Sequence, residues 1–173
     1  MLNALRRNSR RTRLVRSLYE AVSTQARRPE FFRRFGVADT LDGRFDLLAL
    51  HAWLVFDRLR ASGMDDVAQG LSDAIFVGFD EALRELGAGD MGLGRKIRQM
   101  GEAFNGRLKA YEEATDEIEL SAAILRNAYR GTPDRRDEAL HLARYAIASR
   151  DRLAACDLST GKFDFGRPPQ ANI

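Results

Sequence analysis

Asp39-Thr40-Leu41-Asp42-Gly43-Arg44-Phe45-Asp46 runs straight into Leu47-Leu48-Ala49-Leu50-His51-Ala52-Trp53-Leu54-Val55-Phe56, and Asp57-Arg58-Leu59 closes the run. From Leu47 to Phe56 the chain carries no charge. A helix that is apolar all round is one surrounded by protein. The stretch is too short for a bilayer, which takes about 20 residues, so it reads as the buried centre of a helical bundle. The part before it is a polar turn, with three carboxylates and an arginine in eight residues. Asp39, Thr40 or Asp42 suits the cap of the next helix, and Gly43 supplies a permissive backbone. Arg44 has acids on both sides. Capping accounts for one or two of the acids. The remainder suggests a planar guanidinium held between carboxylates, which would brace the turn on a neighbouring helix or present it to a partner.

Apolar residues recur at helical spacing on both sides of this run, and no strand alternation interrupts them. A first helix is predicted over about 9–28, with Leu14, Leu18 and Val22 inward. Pro29 suits the first turn of a short helix anchored by Phe31, Phe32 and Phe35. A loop follows to Gly43. The helix begun at Arg44 ends at Gly63, and further helices are predicted over about 65–86, 92–114, 116–130 and 133–155. The tail after Gly161 contains Pro168-Pro169 and lacks periodicity. The expected fold is all-α, a single irregular bundle of about six helices. Its expected parts are a basic arm and helix start over 1–18, a helical domain over 19–157 and a flexible tail over 158–173.

The charge is unevenly spread. Within a net +3, residues 1–34 carry +8, from ten arginines and two glutamates, which leaves −5 for the rest. Such an arm suits a polyanion: lipid headgroups, RNA or an acidic protein face. Arg10, Arg13, Arg16 and Arg27 are its candidate contacts, and a solvated basic helix is the plain alternative. The arm has little aromatic interleaving for base stacking, so no dedicated DNA binding is expected. A lone cysteine, Cys156, fits a reducing compartment. No apolar segment follows the N-terminal arginines as a secretory signal would require.

Enzyme signatures do not assemble. Gly87-Ala-Gly-Asp-Met-Gly92 matches G-x-G-x-x-G, but a helix precedes it where a dinucleotide site needs a strand. Glu138-Ala-Leu-His141 has the spacing of a di-iron ligand pair without a second pair. Two histidines and one cysteine make no usual zinc site. His51 reads as a satisfied core histidine. No Gly-x-Ser-x-Gly elbow is present. No catalytic residue, metal or cofactor is expected.

Three segments, in order, resemble the ubiquinol–cytochrome c chaperone family, assembly factors of the cytochrome bc1 complex. The first is Tyr19–Phe35, with Gln25-Ala-Arg-Arg-Pro-Glu-Phe-Phe32; the second is the run from Asp39 to Leu59. The third joins Leu71-Ser-Asp-Ala-Ile-Phe76, Asp80-Glu-Ala-Leu-Arg-Glu-Leu-Gly-Ala-Gly-Asp90, Gly94-Arg-Lys-Ile-Arg-Gln-Met100 and Phe104-Asn-Gly-Arg-Leu-Lys-Ala-Tyr111. The chain departs from the pattern at Asn105, where an aromatic is expected, and in the glycine-rich Met91-Gly-Leu-Gly94. The resemblance implies a non-enzymatic chaperone that shelters newly made cytochrome b, with a small protein partner in some members. The absence of an organellar targeting segment implies a bacterial-type member. A cytoplasmic location is then expected, with the inner face of the cytoplasmic membrane or the ribosome as an address for the arm. The resemblance and the charged turns together nominate Asp39, Asp42, Arg44, Asp46, Asp90, Arg95, Lys96, Arg98 and Arg107 for partner contact.

Overall fold

A computed structural model describes residues 2–85, 87 and 90–168, with the side chains of 2–5, 7, 90, 91 and 159 outside the description. Among the described residues the chain is all-α: α1 (Leu2–Ala26), α2 (Pro29–Arg33), α3 (Leu41–Ala61), α4 (Asp65–Glu85), α5 (Asp90–Glu112), α6 (Glu117–Ala128) and α7 (Arg136–Ala155). Six of these are long, as expected, and α2 is the short Pro29 helix. Single 3₁₀ turns lie at Pro133–Arg135 and Leu158–Thr160.

α3 is the axis of the bundle and packs against α1, α4, α5, α6 and α7. Its apolar circumference explains this: Leu47, Leu50, Leu54, Val55 and Leu59 are all buried. Full burial of each such side chain stabilises by about 1.5–3 kcal/mol. α4 shows the inward spacing predicted, with Val67, Leu71, Ile75, Phe79 and Leu83 buried one turn apart. Its Gly78 lets α1 approach, because a β-carbon there would lie 2.3 Å from the Tyr19 hydroxyl.

Two boundaries differ from the sequence reading. α1 begins at Leu2, not near residue 9. No glycine or proline interrupts residues 2–28, so nothing stops the helix from running through the arginines. α3 begins at Leu41, so Asp42, Gly43 and Arg44 belong to its first turn and not to a loop. The Thr40 hydroxyl accepts from the Gly43 N–H at 3.2 Å and sets that start. Asp42 then faces the positive helix end.

One polar network sits in the core. His51 Nδ1 is 2.7 Å from the Leu47 carbonyl and Nε2 is 2.9 Å from the Tyr145 hydroxyl. Gln25 donates to the same hydroxyl at 2.8 Å and to the Gly166 carbonyl at 3.0 Å. Burial drives the His51 pKa down from 6.5 to about 4. The sequence predicts a flexible tail from 158; here residues 158–168 lie against the bundle. Phe165 is buried, and its carbonyl accepts from Ser149 at 2.6 Å. Backbone carbonyls tie this segment down, which explains why side-chain periodicity gave no sign of it. Residues 169–173 lie outside the described residues.

Candidate partner-binding site

The turn at the start of α3 divides its charges among three tasks. Arg44 donates to Asp39 at 2.8 Å, and both are exposed. They border a shallow hollow with Arg27, Phe32 and Arg33. Asp42 is exposed and lies 3.6 Å from Arg130. Asp46, only 1 % exposed, turns inward.

Asp46 is gripped from two other helices. Arg107 of α5 donates Nε–H to its Oδ1 at 2.6 Å, and Nη1 of Arg130, just past α6, lies 2.9 Å from its Oδ2. The sequence suggested one guanidinium between carboxylates. The structure reverses the roles and holds one carboxylate between two guanidiniums. Burial pushes the Asp46 carboxyl above its ordinary value, while Arg107 and then Arg130 pull it back. Arg107 also lies over the Phe45 ring at 4.8 Å and donates to the Ala103 carbonyl at 2.9 Å.

Two backbone features support this arrangement. A β-carbon on Gly43 would sit 2.0 Å from the Ala38 carbonyl oxygen, so only glycine permits the entry of α3. Arg130 has φ of 55°, a left-handed conformation that costs a non-glycine residue about 1–2 kcal/mol. Gly131 follows it, and the Gly131 N–H closes α6 onto the Leu125 carbonyl at 2.9 Å. An arginine at a position that favours glycine is explained by its reach to Asp46 and Asp42.

Above this buried knot a groove of about 600 Å³ opens between the start of α3, α5 and the end of α6. Phe45, Leu83, Met100 and Ala103 form its apolar lining, with Leu41 half exposed at the lip. Phe45 belongs to an aromatic cluster with Phe79 and Phe104, which makes that wall stiff. Lys96, Arg107, Arg126 and Arg130 supply cations, and among the described residues Asp42 is the one carboxylate in the lining.

The structure therefore brings together Asp42, Asp46, Lys96 and Arg107 of the nominated residues. It sets Asp39 and Arg44 apart in the adjoining hollow. Arg95 and Arg98 are exposed on α5 and do not line the groove. The Asp90 side chain lies outside the described residues. In the arm, Arg10 and Arg13 line a separate hollow with Met64 and Asp66, while Arg16 pairs with Glu20 at 3.0 Å. Arg27 borders the hollow of Asp39 and Arg44. The sequence reading missed Arg126 and Arg130. Its one available signal was an arginine directly before Gly131, at a predicted helix end.

Comparison with known proteins follows the same line. A family model described as Ubiquinol-cytochrome C chaperone matches residues 33–160. The chain is 28 % identical over 121 residues to Ubiquinol-cytochrome c reductase complex assembly factor 1 of Drosophila melanogaster, covering 65 % of this chain. It spans about half of that relative's length, 47 %. The crystal structure of the Cbp3 homolog from Brucella abortus superposes with a TM-score of 0.84 at 31 % identity, covering 96 % of this chain and 97 % of that one. Family profile, sequence relative and fold agree over most of the chain, and this protein belongs to the ubiquinol–cytochrome c chaperone family.

Proposed function

We propose that this protein is a non-enzymatic assembly chaperone of the ubiquinol–cytochrome c reductase complex and that newly made cytochrome b is its client. The observation that carries the reading is the groove beside α5. It joins an apolar lining to a cationic rim on a rigid scaffold, as a site for an amphipathic segment requires. The name of the Drosophila relative, an assembly factor of that complex, supports the same reading. Asp42, Lys96 and Arg107 would contact the client, with Asp46 holding Arg107 and Arg130 in place. Asp39, Arg44, Arg95, Arg98 and Asp90 would extend the contact beyond the groove. No helix among the described residues is long and apolar enough to cross a membrane, so contact with a membrane client would be made from its surface.

Deleting the gene tests this directly. Assembled bc1 complex and cytochrome b should fall while unrelated respiratory complexes persist. Normal cytochrome b in the deletion strain would sink the proposal. Crosslinking in intact cells should recover cytochrome b on this protein, together with any small protein partner.

A second reading is favoured by α1, whose Arg10, Arg11 and Arg13 are exposed on a continuous helix. In that reading the arm attaches the protein to the ribosome or to anionic membrane. Replacing Arg10, Arg13, Arg16 and Arg27 by glutamine separates the two. Loss of ribosome or membrane association with client capture intact makes the arm an address alone. No change in either makes it a solvated helix.

A further inference from the structure

The groove says more about its occupant than that it is amphipathic. Among the described residues four cations face it and two carboxylates, Asp42 and the buried Asp46, answer them. Arg107 and Arg130 are committed to those acids. Lys96 and Arg126 are exposed on opposite banks and form no ion pair with any described residue. Each therefore offers its charge outward.

The bank formed by α5 has a second property. Gly92, Lys96, Gln99, Ala103 and Gly106 repeat at i, i+4, i+7, i+11 and i+14, a heptad face. The face is small at Gly92, Ala103 and Gly106. A β-carbon at Gly92 or Gly106 would meet no described atom within 4 Å, so internal packing does not demand glycine there. Gly101 on the same helix contrasts, since its β-carbon would lie 2.8 Å from the Phe76 ring. Glycine inside a helix weakens it relative to alanine. At Gly106, exposed within α5, no contact among the described residues compensates. A partner backbone approaching closely would.

We propose that the α3–α5–α6 groove and the Gly92–Gly106 face of α5 form one docking site for an amphipathic helix of a partner protein that carries carboxylates beside its apolar face. The heptad face spans about 21 Å, or four turns of such a helix. Its apolar side lies over Leu41, Phe45 and Met100. Its carboxylates reach Lys96 on one bank and Arg126 on the other, and Ala103 and Gly106 admit its backbone. The proposal rests on the chaperone reading for the identity of the partner, which makes this helix the client's, and takes the chemistry from the site itself.

The test uses the whole protein and two fluorescein-labelled helical peptides of about 18 residues. Both have leucine and alanine on one face; one is flanked by glutamates, the other by lysines. Fluorescence anisotropy should show binding of the glutamate peptide that weakens as salt rises, and none of the lysine peptide. The double variant Lys96→Glu/Arg126→Glu should weaken binding by about tenfold or more. Gly106→Leu should weaken it to a similar extent while raising the thermal midpoint of the protein alone, a combination that a purely structural glycine would not give. Equal binding of both peptides, or unchanged affinity in either variant, overturns the proposal. So does loss of glutamate-peptide binding on self-association of the protein, which would make a second copy the occupant. The deletion strain supplies the independent reading: impaired bc1 assembly with no peptide binding sinks this proposal alone, and peptide binding with normal bc1 assembly sinks the chaperone reading alone.

Discussion

Replacing Arg107 by alanine isolates what Asp46 costs the fold. The variant removes the nearer cation, at 2.6 Å, from a carboxylate whose side chain has no exposed surface. Breaking a buried pair by deleting one partner costs about 3–5 kcal/mol, because a charge is left behind. Arg130 stays at 2.9 Å and is about half exposed, so the low end applies. Loss of the contact over Phe45 adds about 0.5–1 kcal/mol. The expected destabilisation is about 3–4 kcal/mol. Arg130→Gly should cost far less, within about 1 kcal/mol, because relief of the left-handed backbone offsets the lost contacts.

The sign of the coupling tests the reasoning more sharply than the size. Adding Asp46→Asn to Arg107→Ala removes the stranded charge, so the double variant should exceed Arg107→Ala in stability by about 1–2 kcal/mol at pH 8. The pH dependence has a fixed direction as well. Burial already raises the Asp46 pKa above 3.8, and Arg107 is the strongest influence lowering it. Without Arg107 the folded-state value climbs further. A carboxyl with a raised folded pKa binds its proton more tightly in the folded chain. Its favourable contribution is therefore present at low pH and is lost as pH rises from the unfolded value through the folded one. The Arg107→Ala deficit should accordingly shrink between pH 8 and pH 5. Urea denaturation followed by fluorescence of Trp53, which is buried against Tyr111, measures the wild type, Arg107→Ala, Asp46→Asn and the double variant. Additive single-variant losses, or a deficit that is the same at both pH values, would refute the account of Asp46.

Two further outcomes follow from single sites. Gly43→Ala places a β-carbon 2.0 Å from the Ala38 carbonyl oxygen, and since backbone must move to relieve it, a loss of at least about 2 kcal/mol is expected by urea denaturation. His51 is buried and neutral with a pKa near 4 against 6.5 when unfolded, so its contribution is complete above pH 6.5 and drains away as pH falls towards 4. The full loss is about 3 kcal/mol; His51→Gln should flatten that part of the stability profile, and an unchanged slope would contradict the assignment.

The bundle was legible because its signals are local. One-turn spacing from Val67 to Leu83 and the uncharged run from Leu47 to Phe56 each dictate burial without knowledge of neighbours. Arg107 and Lys96 were legible only as charges near unusual turns. Arg126 and Arg130 were not, because their significance is tertiary: Arg130 meets Asp46 across 84 positions of chain. The same limit explains the reversed roles in the turn. Sequence shows that acids and arginine are adjacent, and adjacency favours the local pair Asp39–Arg44. It does not show that the fourth charge in the run, Asp46, lies one helical turn beyond Asp42 and faces the core, where arginines from other helices must answer it.

That division decides how variants in this region should be interpreted. Asp46 is committed inside the fold, so a lesion there reaches any partner through stability and through the posture of Arg107 and Arg130. Lys96, Arg126 and Gly106 are exposed, and neither cation pairs with a described residue, so a lesion there acts at the surface. Both kinds would lower assembled bc1 complex if the chaperone reading holds. Only the first would also lower the folded fraction of this protein. With a typical domain stability of about 5–15 kcal/mol, a loss of 3–4 kcal/mol leaves most of the protein folded in vitro and still reduces its abundance in cells. Assembly measured per folded molecule therefore separates the two kinds: a substitution of Asp46 itself, which does not line the groove, should recover towards wild type on that scale, and variants of Lys96, Arg126 and Gly106 should not.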